Sequence, residues 1–268
     1  MAKIKTYEVG YCTHPGCMAL KGASWRVCQF PARAWLIEAN QKRWLLDTGY
    51  ASHFHEQTQQ GILQLYPKVT PVFFQNHQAL VHQLATEGIR PNDLSGIIIS
   101  HFHGDHIAGL KDFPLLDLIC AEQGWLATKN LRGFSALRKA FVPGLMPVDT
   151  EARLSFIERF KASQLPTELS MFEVGYILPH SNDEVILIPL PGHAAGHIGV
   201  AVLTEAGWQI LASDAAWSPT NYIELRGPSI LAYSIMDDRK AYFATLKKLQ
   251  QAHLQGLNIS LCHEGDLL

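Results

Sequence analysis

An apolar, β-branched run, Gly96-Ile97-Ile98-Ile99-Ser100, leads directly into His101-Phe102-His103-Gly104-Asp105-His106. A run without polar alternation predicts a strand buried on both faces, so the chain must fold into layers that cover a sheet from two sides. Four metal-capable side chains then sit at the end of that strand, where a rigid sheet can fix them. Imidazole nitrogens at alternate positions can close on one divalent ion, and the adjacent Asp105-His106 pair can turn towards a second. Gly104 is expected to allow the sharp backbone turn that this needs.

The rest of the chain supplies layers of the required kind. Ala34 to Glu38 and Arg43 to Leu46 read as strands joined by the polar connection Asn40-Gln41-Lys42. The second of them stops at Asp47-Thr48-Gly49, which puts a carboxylate at a strand tip. Ala79 to Thr86 has helical spacing and a glycine stop at Gly88. Strands resume at Val185 to Leu190, Ile198 to Leu203, Trp208 to Ala212 and Leu257 to Leu261. A last helix spans roughly Asp237 to His253, opened by two acids that suit its N-terminal dipole. Segment 125–176 is helical, broken by Pro143, Pro147 and Pro166, and rich in large apolar residues. It reads either as core helices or as a cap over a pocket, with Phe134 and Phe141 as candidate lining residues. No repeat or linker divides the chain, which reads as one domain over residues 1–268.

Composition narrows the function. With 47% hydrophobic and 17% charged residues, disorder, a collagen repeat and a coiled coil are excluded. A formal net charge of −2 offers no surface for tracking phosphates, so nucleic acid is not expected as a partner. No apolar stretch approaches the roughly 18 to 20 residues of a membrane span. Five cysteines without a paired framework point to a reducing compartment, and the expected location is cytoplasmic. The excess lies in histidine: 13 residues of the commonest metal-binding side chain.

Three further positions repeat the context of the first run. His193 in Pro191-Gly192-His193, Asp214 and His263 each follow a strongly apolar strand within a few residues. Singly each is a cap or turn residue more often than a ligand. Together, four strand ends delivering His and Asp to one edge of a layered fold form a constellation.

This pattern resembles the metallo-β-lactamase-fold hydrolase superfamily, whose signature is His-x-His-x-Asp-His followed by a distant His, Asp and His. The resemblance runs from Asp47-Thr48-Gly49 to Cys262-His263. It implies an α/β (α+β) fold, an αββα sandwich of two mixed β-sheets flanked by helices, with metals at one edge. It further implies one ion held by His101, His103 and His193, a second by Asp105, His106 and His263, and Asp214 bridging both. Asp47 would orient a ligating imidazole through its other ring nitrogen, and His197 would pack or hydrogen-bond behind His193. Zinc is the expected metal, although such His/Asp sites also suit iron, manganese or cobalt. Two such ions share a water whose pKa drops towards neutrality and polarise the oxygen under attack. Asp105 could then pass a proton to the leaving group, or serve only as a ligand.

Residue types choose among branches. Flavin-partnered diiron proteins carry Glu where Gly104 stands, and zinc β-lactamases typically carry Cys or Ser where Asp214 stands. Chain length, Asp47-Thr48-Gly49 and the Pro-Gly-His-x-x-Gly-His run resemble the N-acyl-homoserine lactonase-like branch. One departure is Trp217, at the position of a tyrosine that holds the substrate carbonyl in many of those lactonases. Either Trp217 walls an apolar pocket, or Tyr222 or Tyr233 takes over, or the substrate is not a homoserine lactone. His53-Phe54-His55 reads as a loop near the pocket mouth, and Cys12-Thr13-His14-Pro15-Gly16-Cys17 as a turn with His14 a candidate for substrate contact. The expectation is a dinuclear metal-dependent hydrolase of a small carbonyl ester, foremost a lactone. A phosphoesterase, a thioesterase or a metal-bearing sensor protein are the alternatives, with a small molecule as partner and a homodimer compatible with the sequence.

Overall fold

Alternation of side chains on β2 (Val27–Ala39) builds two cores at once. Phe30, Ala32, Ala34 and Leu36 face one cluster of buried residues, while Trp35, Ile37 and Ala39 face another. The same period of two sorts Leu45 from Trp44 and Leu46 on β3 (Lys42–Leu46). The strand can therefore be buried on both faces along its C-terminal half, as β3 is. The computed structural model describes residues 1–264.

The N-terminal segment forms a strand that hydropathy does not reveal. In β1 (Lys3–Pro15) charged and apolar residues mix, and it pairs antiparallel with β2 from Lys3↔Glu38 to Pro15↔Val27. The register shifts between Glu8 and Tyr11, where Gly10 takes a φ of 77°. Cys12, Thr13, His14 and Pro15 thus end a strand and do not form the turn expected of them, and Gly16–Ala19 begins a short helix. The β2–β3 hairpin turns on Asn40 and Gln41, both with positive φ (45° and 61°), as the right-handed strand twist demands.

The first sheet has seven strands in the order β4-β1-β2-β3-β5-β6-β7, with β4 at Val72–Phe73, β5 at Gly96–Ile98, β6 at Leu118–Cys120 and β7 at Leu154–Phe156. The β1 to β3 pairings are antiparallel and those from β3 through β7 are parallel. The second sheet runs β12-β11-β10-β9-β8, with β8 at Tyr176–Ile177, β9 at Val185–Pro189, β10 at Ile198–Thr204, β11 at Gly207–Ser213 and β12 at Asn258–Leu261. Its strands are antiparallel except for the β11–β12 pair.

The two sheets face each other across Trp35, Ile37, Leu46, Ile98, Leu187 and Val200. On the outer face of the second sheet, Ile186, Ile188 and Ile210 pack with Tyr242, Leu246 and Leu249 of the helix Arg239–Leu254, which Asp238 caps through the backbone N–H groups of Lys240 and Ala241. The outer face of the first sheet is covered by Phe54, Leu80, Phe113 and Leu145 among others. This is the αββα sandwich of two mixed sheets that the sequence led us to expect. Segment 125–176 adds the edge strand β7 to one sheet and part of β8 to the other. Among the described residues no helix is long and apolar enough to cross a membrane.

Candidate metal centre

Five chain segments deliver side chains to one edge of the sandwich. Asp47 follows β3, His101 to His106 follow β5, His193 follows β9, Asp214 follows β11 and His263 follows β12. Glycines make the approach possible. A β-carbon on Gly192 would stand 2.1 Å from the Tyr242 backbone nitrogen, so only glycine lets the loop carrying His193 pack on the C-terminal helix. Gly104 acts differently from expectation. It begins the helix Gly104–Ile107 without a positive φ, and its need is space: a β-carbon there would meet the Phe54 ring at 3.0 Å.

All seven predicted ligands are buried and come together. His193 Nε2 lies 3.2 Å from His101 Nε2 and 3.1 Å from His103 Nδ1. His263 Nε2 lies 3.0 Å from Asp105 Oδ2 and 3.2 Å from Asp214 Oδ2. His106 Nε2 lies 3.4 Å from Asp214 Oδ1 and 3.5 Å from Asp105 Oδ2, and His193 Nε2 is 3.5 Å from Asp214 Oδ2. Ligand atoms about 2.05 Å from a tetrahedral ion stand about 3.3 Å apart, which matches these separations. Two groups emerge: His101, His103 and His193 in one, and His106, Asp214, Cys262 and His263 in the other, with the ligand atoms of each group within 4.8 Å of one another. Asp214 touches both.

The electrostatics of the two groups differ. Burial, reinforced by neighbouring imidazoles, holds His101 well below its ordinary value, and burial alone is the main cause that holds His193 low and brings His103 to about 4. Burial also disfavours charge on His106 and His263, yet the carboxylates outweigh it, Asp105 and Asp47 for His106 and Asp214 for His263, and raise both well above the usual imidazole value. Positive charge is drawn to that spot. His106 Nε2, His193 Nδ1 and Asp214 Oδ1 are moreover buried without a hydrogen-bond partner among the described residues. Neutral imidazoles facing one another nitrogen to nitrogen cannot all be satisfied by one N–H each. A divalent cation fits both groups.

Asp47 does more than orient one ring. It accepts from His106 Nδ1 at 2.8 Å, from the Ser100 backbone N–H at 2.8 Å, from Ser100 Oγ at 2.7 Å and from Ser213 Oγ at 3.1 Å. Ser100 Oγ in turn lies 3.0 Å from His101 Nδ1, so one carboxylate steadies an imidazole of each group. Thr48 clamps the same loop, donating Oγ1 to the His106 carbonyl and accepting from the Gly109 N–H. His263 Nδ1 donates to the Pro31 carbonyl at 2.7 Å. Ser100, Ser213 and Cys262 were assigned no role at the site from the sequence, although each immediately precedes a candidate ligand. The Cys262 thiol is engaged by the Arg33 backbone, accepting from its N–H at 3.2 Å. His197 packs against the His101 and His193 rings but hydrogen-bonds through neither ring nitrogen.

A cavity of about 410 Å³ opens onto the centre, and its walls correct several expectations. Trp217 lines it, with its indole N–H given to Asp214 Oδ2 at 2.9 Å and its ring edge-on to His193. Tyr222 is instead buried against His253, and Tyr233 packs on Phe243 under the Arg239 guanidinium; neither lines the cavity. Phe134 is 67% exposed and Phe141 is 1% exposed within the core, so neither reaches it. From segment 125–176 only Leu137 and Ala140 do. His53 and His55 lie on the helix Ser52–Gln57 and not in a loop, with His53 bonded to Asp112 at 2.8 Å. His14 does line the cavity, paired with Thr70 at 3.0 Å. The apolar lining comes from Met18, Phe30, Leu65, Val69 and Leu231, and two phenols, Tyr50 and Tyr66, were not foreseen.

Comparisons agree with this architecture. The model of the metallo-beta-lactamase superfamily matches residues 29–117. A probable metallo-hydrolase of Mycobacterium tuberculosis is 27% identical over 87% of this chain and 74% of its own length. The N-acyl homoserine lactonase AiiB of Agrobacterium fabrum is 24% identical over 90% of this chain and 82% of its own. Among solved structures, an N-acyl homoserine lactone hydrolase with the product N-hexanoyl-L-homoserine at its catalytic metal center superposes with a TM-score of 0.71 at 20% identity, covering 98% of this chain and 93% of that one.

Proposed function

We propose that this chain, which has the metallo-β-lactamase fold, is a dinuclear metal-dependent hydrolase of small carbonyl esters, with lactones as its foremost substrates. The observation that carries the reading is the convergence of seven buried ligand-type side chains at the spacing of ion-coordinating atoms, open to one apolar cavity. His101, His103 and His193 would hold one divalent ion, Asp105, His106 and His263 the other, and Asp214 would be shared. Zinc suits this nitrogen-rich set. When bound, such ions supply a water activated near neutral pH and a Lewis acid for the carbonyl.

The chain's own residues do the rest. Met18, Leu65, Val69 and Leu231 exclude water and receive an apolar substituent. Asp214, held by the Trp217 indole, cannot rotate away from His263. Asp105 lines the cavity and touches His263, and His106 and His263 keep it ionised, which places it to accept the proton of the attacking water and pass it to the departing alkoxide. Hydrolysis then adds the elements of water across the acyl C–O bond: the acyl carbon keeps the water oxygen, the ring oxygen leaves as an alcohol, and a carboxylate and a proton are released. A near-neutral protein presents no field to gather polyanions, which suits a small uncharged ester. The lactonase relatives support the same substrate class.

A panel of γ-lactones, p-nitrophenyl esters, thioesters and bis(p-nitrophenyl) phosphate tests this. The expected result is the highest kcat/KM on a lactone bearing an apolar substituent, abolished by chelator and restored by zinc or manganese. Faster turnover of the phosphodiester, or full lactone turnover by metal-free protein, would overturn it.

A further inference from the structure

Trp217 cannot serve the substrate and Asp214 at once. Its single N–H is already given to Asp214 Oδ2, so any protein donor that joins the ions at the carbonyl oxygen under attack is another group. The polar wall groups can be followed one by one. His14 is paired with Thr70, Ser234 donates to the Leu231 carbonyl at 2.6 Å, and the Tyr50 hydroxyl lies beside the Cys12 thiol. Apart from that phenol, the Tyr66 hydroxyl is the one cavity hydroxyl without a hydrogen bond within the described residues, and it is the one placed at Gly104.

Its position suits the task. A β-carbon on Gly104 would come within 3.6 Å of the Tyr66 hydroxyl oxygen, which therefore sits over the turn between His103 and Asp105. The ring is held edge-on to Phe54, with centroids 5.1 Å apart, and Phe54 is itself held edge-on to Tyr50 at 5.2 Å. Phe54 is fully buried and Tyr66 nearly so, leaving the phenol little freedom to swing out. A phenol keeps its proton at neutral pH and is a donor there.

We propose that the Tyr66 hydroxyl is the protein donor that holds the carbonyl oxygen of the substrate as negative charge develops on it. The proposal rests on the hydrolase reading above. Tyr66 transfers no atom; it donates one hydrogen bond that strengthens as the carbonyl becomes tetrahedral, while the proton for the leaving alkoxide comes from elsewhere. Its place in the chain, on the short helix Tyr66–Val69, is remote from the strand ends that carry the ligands.

The experiment compares wild type, Tyr66→Phe and Tyr50→Phe, each loaded with zinc, on a γ-lactone and a p-nitrophenyl ester. Tyr66→Phe is expected to lower kcat about 100- to 1,000-fold, the loss typical of one oxyanion donor. KM should stay within about threefold, because the bond matters mainly in the transition state. Zinc content and thermal midpoint should be unchanged. A Tyr66→Phe variant within about threefold of wild-type kcat, or one that loses zinc, would overturn the proposal, as would a larger loss in Tyr50→Phe. Wild-type protein with two zinc ions and no turnover of any carbonyl ester would instead bring down the hydrolase reading, and this proposal with it.

Discussion

Asp214→Ala is expected to leave no more than one equivalent of metal per chain and to cut lactone turnover by more than about 100-fold, beyond what loss of an outer-shell partner costs. The reason is position. Asp214 is the side chain that meets both imidazole groups, through His193 on one side and His106 and His263 on the other. Its carboxylate is also the main source of the negative charge that raises His263. Without it, His263 loses that attraction and keeps only Asp105, burial pushes the imidazole towards its neutral form, and the two groups no longer share a carboxylate. Asp214→Asn separates charge from shape, since an amide oxygen still accepts from the Trp217 indole while the negative charge is gone. Elemental analysis of both variants, with circular dichroism as a check on the fold, decides the matter. Two equivalents retained by Asp214→Ala would contradict the shared role.

Asp47→Ala should cost the fold itself. Four donors converge on that buried carboxylate, and removing it leaves the Ser100 N–H, the Ser100 hydroxyl and the His106 ring N–H without their acceptor, while the Ser213 hydroxyl keeps Ser100 Oγ at 2.9 Å. Each such group costs about 1–3 kcal/mol, so a loss of about 3 kcal/mol or more is expected. In a chain of this size that lowers the thermal midpoint by roughly 6–12 °C or more. Metal affinity should fall about 10- to 100-fold as well, because His106 directly and His101 through Ser100 lose their orientation. Calorimetric melting with and without zinc measures both effects. A midpoint within about 2 °C of wild type, with unchanged zinc affinity, would contradict this account of Asp47.

The buried His and Asp cluster was legible because each member stands within a few residues of the end of an apolar strand, a pattern that survives in one dimension. The sheets were legible where burial is two-sided, as at Ile97 to Ile99, and illegible at β1, where Lys3, Lys5 and Glu8 alternate with Ile4 and Tyr7 on a partly exposed strand of modest hydropathy. The cavity wall was the least legible part. It is assembled from residues near 12–19, 50, 65–70, 137–140 and 231–235, and only tertiary packing decides which apolar side chain faces inward. Phe134 and Phe141 show the difficulty, since they are alike in hydropathy yet one lies in solvent and the other in the core. Tyr50 carried a usable signal, being the residue next to Asp47-Thr48-Gly49. Tyr66 carried none.

The central claim is a pair of divalent ions working together, and zinc titration of chelator-stripped protein tests it most directly, with bound metal and lactone turnover followed in the same samples. The account predicts that bound zinc saturates at two equivalents per chain and that turnover, absent at zero zinc, reaches its plateau with the second. Saturation at one equivalent with full turnover, or turnover independent of zinc, would contradict it.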